Sequence, residues 1–334
     1  MPSKHFIKSI VQPVAAVVAS AVNGPIDLPV NPLTLLLFRV RFTRAAETAA
    51  GLYTFINDVV KAITNVNVQL LGQNIVNGSL QDVMMFNAWA VNLYPRFTRA
   101  VVTTGAVGEV VFPIAFGRKA FWDQEALPPV ARGNLRFQFT AGALPANFTA
   151  LSWAVESIEL IESAPRQYLK YITNTRALTA TGQFDALLPI GNRLMGILLF
   201  EPNIFGTTAR AFSWGQVKLL VDNFEQYYPL SDWESMVGRH SFDAHALPWM
   251  VSDHTHVENL AAAYAPIVST DGAQFAGKTY SPDAYGFMDF DPNQDDMYLL
   301  ETAGHADVKL RGFADAAAPN ATVVWLPGEL VLIQ

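Results

Sequence analysis

The 334-residue sequence predicts an all-β protein built from two tandem sandwich or jelly-roll domains, with short inserted helices. Three observations carry that expectation. Most segments are short, rich in β-branched and aromatic residues, and bounded by Gly, Pro or Asn, as in "GEVVFPIAF" (Gly108–Phe116) and "ATVVWLPGELVLI" (Ala321–Ile333). A set of motifs occurs twice, in the same order, about half the chain apart. Half of the residues are apolar, enough for two cores, and only 15% are charged against a usual share of about 25%. So little charge suits a surface that partner subunits or another apolar phase cover.

Composition also excludes functions. Net charge is −7 with 22 Lys and Arg and no dense basic run, so extensive binding to nucleic-acid phosphates is disfavoured. There is no Cys, which removes disulfides, thiolate zinc sites and cysteine nucleophiles together.

Residues 1–23 read as an N-terminal arm. Lys4 and Lys8 are followed by an apolar run that Gln12 and Pro13 interrupt, which speaks against a secretory signal. The run is shorter than the roughly 20 residues needed to span a bilayer. A short helical arm is expected, with Lys4, Phe6, Ile7, Lys8, Ile10 and Val11 touching a membrane surface or a neighbouring subunit. A helix docked on its own domain is the plainer alternative.

The first domain is placed at 24–163. Its "LLLF" (Leu35–Phe38) has a counterpart in "ILLF" (Ile197–Phe200), and "VQLLGQN" (Val68–Asn74) matches "VKLLVDN" (Val217–Asn223). Next, "NLRFQF" (Asn134–Phe139) parallels "VKLRGF" (Val308–Phe313). "PANFTALSW" (Pro145–Trp153) answers "PNATVVW" (Pro319–Trp325), and "IELIE" (Ile158–Glu162) answers "ELVLI" (Glu329–Ile333). The repeat unit of some 140 to 165 residues is a domain, not a solenoid turn. Residues 164–171 read as the connection, and 172–334 as the second domain.

Each copy carries a short helix at a matching place. Ser79 with Asp82 and Ser231 with Glu234 have the Ser-x-x-acid form that caps a helix start. The first copy has an insertion, Thr43–Ile63, whose Leu52, Phe55, Val59 and Ile63 fall at helical spacing. The second has a long loop, 242–291, rich in Gly, Pro, Asp and His. Pro145 and Pro319 mark turns, and Trp153 and Trp325 then lie on core strands.

Two constellations could carry chemistry. In "DHTHVEN", His254, His256 and Glu258 could bind a transition metal, since His254 and His256 share one face of a strand. Two-domain cupins use such a pair, but the glycine before it and the downstream His motif are missing, so polar loop residues are the preferred reading. In "DFDPNQDD", Asp289, Asp291, Asn293 and Asp295 alternate like the first ligands of a calcium loop. Gln294 stands where that loop needs Gly, and Leu300 where it needs Glu, so an acidic turn is preferred and no cofactor is expected. Asn77, Asn147 and Asn320 match glycosylation acceptors but read as turn and cap residues. Glu156 and Glu159 form a carboxylate pair that sequence alone does not place in a cleft. No phosphate loop or nucleophile elbow occurs, and no enzymatic activity is expected.

The duplicated "VQLLGQN" and "VKLLVDN" elements, the strand "GNRLMGILLFEPN" (Gly191–Asn203) and the duplicated Pro, Asn-x-Thr, Trp ends resemble a known pattern. The chain from about Gly24 to Gln334 resembles the double jelly-roll major capsid proteins of tailless, membrane-containing double-stranded-DNA viruses and phages. That resemblance implies a homotrimer whose six barrels form a pseudo-hexameric tile of an icosahedral shell. It further implies penton and minor capsid proteins as partners and location in the virion after assembly in the host cytoplasm. The arm would face an internal membrane, and loop 242–291 would form an outer tower. A bicupin-like metalloenzyme and a two-domain carbohydrate-binding sandwich are the competing readings.

Overall fold

The computed structural model describes residues 5–45, 59–99, 104–146, 148–201, 212–233, 235–236, 285–314 and 322–333. They form two compact units, one spanning Met1–Ile172 together with the last residues of the chain, the other running from Thr173 to Leu330.

The first unit contains β1 (His5–Ala16), β2 (Val22–Asp27), β3 (Leu33–Arg44), β4 (Ile63–Leu70) and β5 (Gln73–Gly78). Helix α1 (Leu80–Val91) follows, then β6 (Arg96–Arg99), β7 (Val107–Ala115), β8 (Leu135–Ala141), β9 (Phe148–Ile161) and β10 (Gln167–Ile172). One sheet has the order β1-β9-β3-β7-β6, and the other runs β2-β8-β4-β5. Strand β10 extends the latter by pairing parallel to β5, with Tyr171 opposite Val76. The chain switches sheets at each of the first three connections, again across helix α1 between β5 and β6, and again after β7 and β8. That order is a jelly roll.

The second unit repeats it. Its strands are β11 (Asn174–Ala177), β12 (Gly182–Leu187), β13 (Arg193–Phe200), β14 (Gln216–Val221), β15 (Phe224–Glu225) and β16 (Ser231–Asp232). They continue with β17 (Tyr285–Asp289), β18 (Leu300–Glu301), β19 (Val308–Ala314) and β20 (Thr322–Leu332). β11 pairs with β20, which pairs with β13, which pairs with β17. The facing sheet has the order β12-β19-β14-β15. The two orders correspond with β11, β12, β13, β14, β15 and β17 in place of β1, β2, β3, β4, β5 and β7, and with β19 and β20 in place of β8 and β9; β16 pairs with β14, whereas β6 pairs with β7. Every repeated motif falls on equivalent strands: "LLLF" on β3 and "ILLF" on β13, "NLRFQF" on β8 and "VKLRGF" on β19.

Burial follows the period of two. β8 and β19 alternate between buried and partly exposed residues along their whole lengths. In the first core the ring of Phe38 lies 5.3 Å from Phe137 and 5.1 Å from Phe139, and Phe139 meets Trp153 edge-on at 5.0 Å. In the second, Trp214, Trp233 and Trp325 pack with Phe184, Leu199 and Met288. Trp153 and Trp325 are both buried, as expected of core strands.

Gly108 and Gly312 are among the glycines held by close approach. A Cβ on Gly108 would sit 2.3 Å from the Phe42 ring across the β3–β7 pair, and one on Gly312 would sit 2.3 Å from Phe184 across β12–β19. In both units a phenylalanine ring closes over a glycine of the neighbouring strand.

A second shared device links a buried glutamate to the start of a strand. Asn31, just before β3, donates to Glu159 at 2.8 Å, and Asn192, just before β13, donates to Glu329 at 2.7 Å. Glu159 lies opposite Leu33 and Glu329 opposite Leu194, near the starts of β3 and β13.

Helix α1 begins as expected, with the Ser79 hydroxyl accepting from the Asp82 N–H at 3.1 Å. It is buried all round. Asn87 is its anchor: it donates to Tyr171 at 3.0 Å and accepts from the Ala115 N–H at 2.8 Å. In the second unit Ser231 instead pairs with Val217 in β16, and helical residues start at Trp233. Of the insertion Thr43–Ile63, Thr43 and Arg44 belong to β3, residues 59–62 are helical and Ile63 opens β4. Residues 46–58 lie outside the described ones, as does most of loop 242–291.

The expected helical arm is corrected. Residues 5–16 form β1, paired antiparallel along β9 from His5 opposite Ile161 to Ala16 opposite Ser152. The pairing that selects a strand comes from a segment nearly 150 residues away. Residues 164–171, read as the connection, contain most of β10.

Candidate assembly surface

β1 is an edge strand, so it brings its side chains to a margin of the first unit. Phe6 (57% exposed) and Ile10 (66%) stand out from it, and Ile7 is also exposed. Phe6 meets Phe121 edge-on at 5.0 Å, and Phe121 is itself half exposed. Val11 is half-buried, and Lys4 lies outside the described residues.

Lys8 starts a chain of opposite charges across the sheet. Its Nζ lies 2.8 Å from Glu156 on β9, which also accepts from Arg39 on β3 at 2.5 Å. Arg39 reaches Glu109 on β7 at 3.1 Å, and Glu109 pairs back with Arg41. Arg39 and Arg41 alternate with the core residues Phe38, Val40 and Phe42, so the ladder lies on the outer face. Burial by itself would raise the Glu156 carboxyl. Hydrogen bonds from Lys8 and Arg39, and their charges, hold it below its ordinary value instead. Sequence reasoning missed this ladder, although Arg39-x-Arg41 on a strand was a readable sign of an outward charged face.

In the second unit the charge lies on the sheet of β12, β19 and β14. Asp185 on β12 takes both nitrogens of the Arg311 fork, at 2.8 and 2.9 Å. Those bonds hold its carboxyl below the usual range. Lys218 pairs with Glu225 at 2.7 Å. At the turn after β14, Asp222 accepts from His305 at 2.8 Å and from the Ala306 N–H at 2.9 Å. Close by, Phe224 is 74% exposed, with Tyr227 and Leu230 also uncovered.

The loop after β7 is anchored by a fully buried ion pair, Arg118 with Glu125. Glu125 also accepts from the Arg118 N–H at 2.9 Å and from Gln167 at 2.6 Å. These bonds fix the backbone that presents Phe121.

The acidic segment after β17 is a self-bonded turn. Asp289 accepts from the Asp291 N–H at 2.8 Å, and buried Asp291 accepts from the N–H groups of Asp295 and Asp296, both at 3.1 Å. Asn293 is exposed, and Asp295 turns to the Met297 N–H at 3.1 Å. Among the described residues, no group of three or more His, Asp or Glu converges to hold a metal ion. His254, His256 and Glu258 lie outside the described residues. Glu156 and Glu159 are brought to neighbouring positions on β9, the first in the charge ladder and the second under a cavity.

No protein-family model matches the sequence. No curated protein matches it either. Solved structures do. The chain is similar to the major capsid protein of bacteriophage PM2, with a TM-score of 0.60 and 13% identity over 99% of this chain and 98% of that one. It is similar to a chain of Sulfolobus Turreted Icosahedral Virus, with a TM-score of 0.65 and 13% identity over 98% and 91%. Against a chain of the PBCV-1 virus capsid the values are 0.59 and 9%, over 98% and 94%. By strand order in both halves, and by likeness over nearly its whole length, the chain has the double jelly-roll fold of viral major capsid proteins.

Proposed function

We propose that this chain is a major capsid protein with a structural, non-enzymatic role. Three copies associate, and the six jelly rolls of the trimer make a pseudo-hexameric capsomer that paves an icosahedral shell. The observation that carries this reading is the tandem repeat of one jelly-roll order in a chain whose solved structural neighbours are major capsid proteins. The low charge and the exposed apolar side chains of β1 and of the β15 region support it, because such margins gain stability when covered.

In this reading β1 and the residues before it lie on the inner side, with Lys4, Phe6, Ile7, Lys8, Ile10 and Val11 meeting a neighbouring subunit or an internal viral membrane. Loop 242–291 projects outward. Penton and minor capsid proteins complete the shell, which assembles in the host cytoplasm.

Native mass and light scattering on gently purified protein test the proposal. Three chains of 36.6 kDa give a species of about 110 kDa that grows into larger shells. A stable monomer at micromolar concentration overturns it. Co-flotation with lipid vesicles, lost when Phe6 and Ile10 are changed to Ser, tests the membrane assignment separately.

A further inference from the structure

Glu159 sits at the floor of a cavity of about 360 Å³ at the margin of the first unit. The cavity opens between β1 and the connection from β2 to β3. Glu159 is only 5% exposed, and its three partners are uncharged: Ser9 at 2.9 Å, Ser157 at 3.0 Å and Asn31 at 2.8 Å. Among the described residues no cation reaches it. Its neighbour Glu156, by contrast, has both Lys8 and Arg39.

The rim does not supply the missing charge. Arg132 lies 4.0 Å from Asp27, with its side chain 87% exposed, and Arg136 is also 3.5 Å from Asp27. Both arginines therefore lie beside the rim carboxylate. The walls combine the aliphatic side chains of Ile10, Val11, Pro29 and Val30 with polar groups such as Asp27 and Arg132, and Ile10 and Val30 are exposed to solvent. A cavity with aliphatic wall groups and a buried carboxyl matches a long side chain with a cationic head. A buried carboxylate without a counter-charge is unfavourable, and the mouth is where one can enter.

We infer that this cavity is a socket for a lysine or arginine side chain of a neighbouring copy of the chain. The inference rests on the proposed assembly and names one of its contacts. The stem packs against Ile10 and Val30, and the head bonds to Glu159 alongside Asn31. The Asn192–Glu329 pair of the second unit provides a control of the same local design.

The test has two separate readouts on the full chain. The first titrates dissociated wild-type protein with n-butylguanidinium, followed by NMR. Saturable binding is expected, weakened about tenfold by Glu159→Gln and unchanged by Glu329→Gln. The second follows oligomer mass against protein concentration, with Glu159→Gln expected to dissociate at about tenfold higher concentration. Ile10→Ser serves as the second variant if Glu159→Gln does not fold, and is expected to weaken both readouts. No saturable binding to wild type overturns the socket. Binding with unchanged oligomer mass overturns the neighbouring copy as its occupant and leaves a free organic cation. A wild type that never oligomerises overturns the assembly reading, and the titration still reports on the socket.

Discussion

The two jelly rolls share one strand order and differ in how they are braced. In the first unit the opening strand β1 has twelve residues, and the polar bracing crosses its own sheet: Lys8, Glu156, Arg39, Glu109, Arg41. The facing sheet carries amides, with Asn67 donating to Asn74 at 3.0 Å and Gln69 to the same oxygen at 3.1 Å. In the second unit the opening strand β11 has four residues, and the charges lie on the facing sheet, led by Asp185 and Arg311. Topology depends on inward residues, which both units keep apolar. Outward faces are free to diverge, and the charge has changed sheets.

The largest expected effects break one unit at its buried anchor. Arg118→Ala leaves Glu125 without its counter-charge and should destabilise the first unit by about 3–5 kcal/mol. Trp214→Ala should remove about 3–5 kcal/mol from the second by opening its core. Calorimetry with limited proteolysis identifies which unit loosens; a loss in the wrong unit contradicts the separate cores.

Next come two glycines, one in each unit, that face a phenylalanine ring. Gly108→Ala and Gly312→Ala each push a methyl group into a phenylalanine ring and should each cost about 1–3 kcal/mol in denaturant unfolding. A neutral result at either position would show that the ring there can move aside.

Smaller effects come from the surface charges. Arg39→Ala and Arg311→Ala should each lower stability by no more than about 1 kcal/mol, because these pairs are partly open to water. Arg39→Ala should have the larger effect, since Arg39 serves two carboxylates.

The pH dependence has a definite sign. Glu156 and Asp185 have folded-state pKa values below the ordinary 4.5 and 3.8. Their contribution is therefore present above those ordinary values and is lost as pH falls through the lower folded values. Melting temperature should fall less steeply below about pH 4 in Glu156→Gln and Asp185→Asn than in wild type. Curves parallel to wild type would remove both pairs from the stability of their units.

Much of the fold was legible because it rests on local patterns. The alternation in "NLRFQF", the Ser79 cap and the duplicated Trp positions all describe inward residues, whose types are restricted by burial. β1 is not legible locally, because its segment is compatible with a helix in isolation and only pairing with β9 decides. β10 was taken for a connection because it is six residues long and its partner β5 is nearly a hundred residues away. The calcium-like spacing of Asp289, Asp291, Asn293 and Asp295 was visible, but the same spacing serves a turn whose carboxylates bind its own N–H groups. Glu159 was visible as one of a carboxylate pair, while the cavity above it depends on β1, on Asn31 and on Arg132, three places far apart in the chain.

Local patterning in the chain specifies the duplication, the all-β class, the inward aromatic positions and the helix start at Ser79. These follow from side-chain period and local backbone chemistry, which act between near neighbours. The tertiary structure decides that residues 5–16 are a strand, that charge braces opposite sheets in the two units, and that Glu159 faces a cavity while bonding to no cation among the described residues. Each depends on long-range antiparallel register, and a register is settled only when distant strands compete for the same hydrogen-bonding edge.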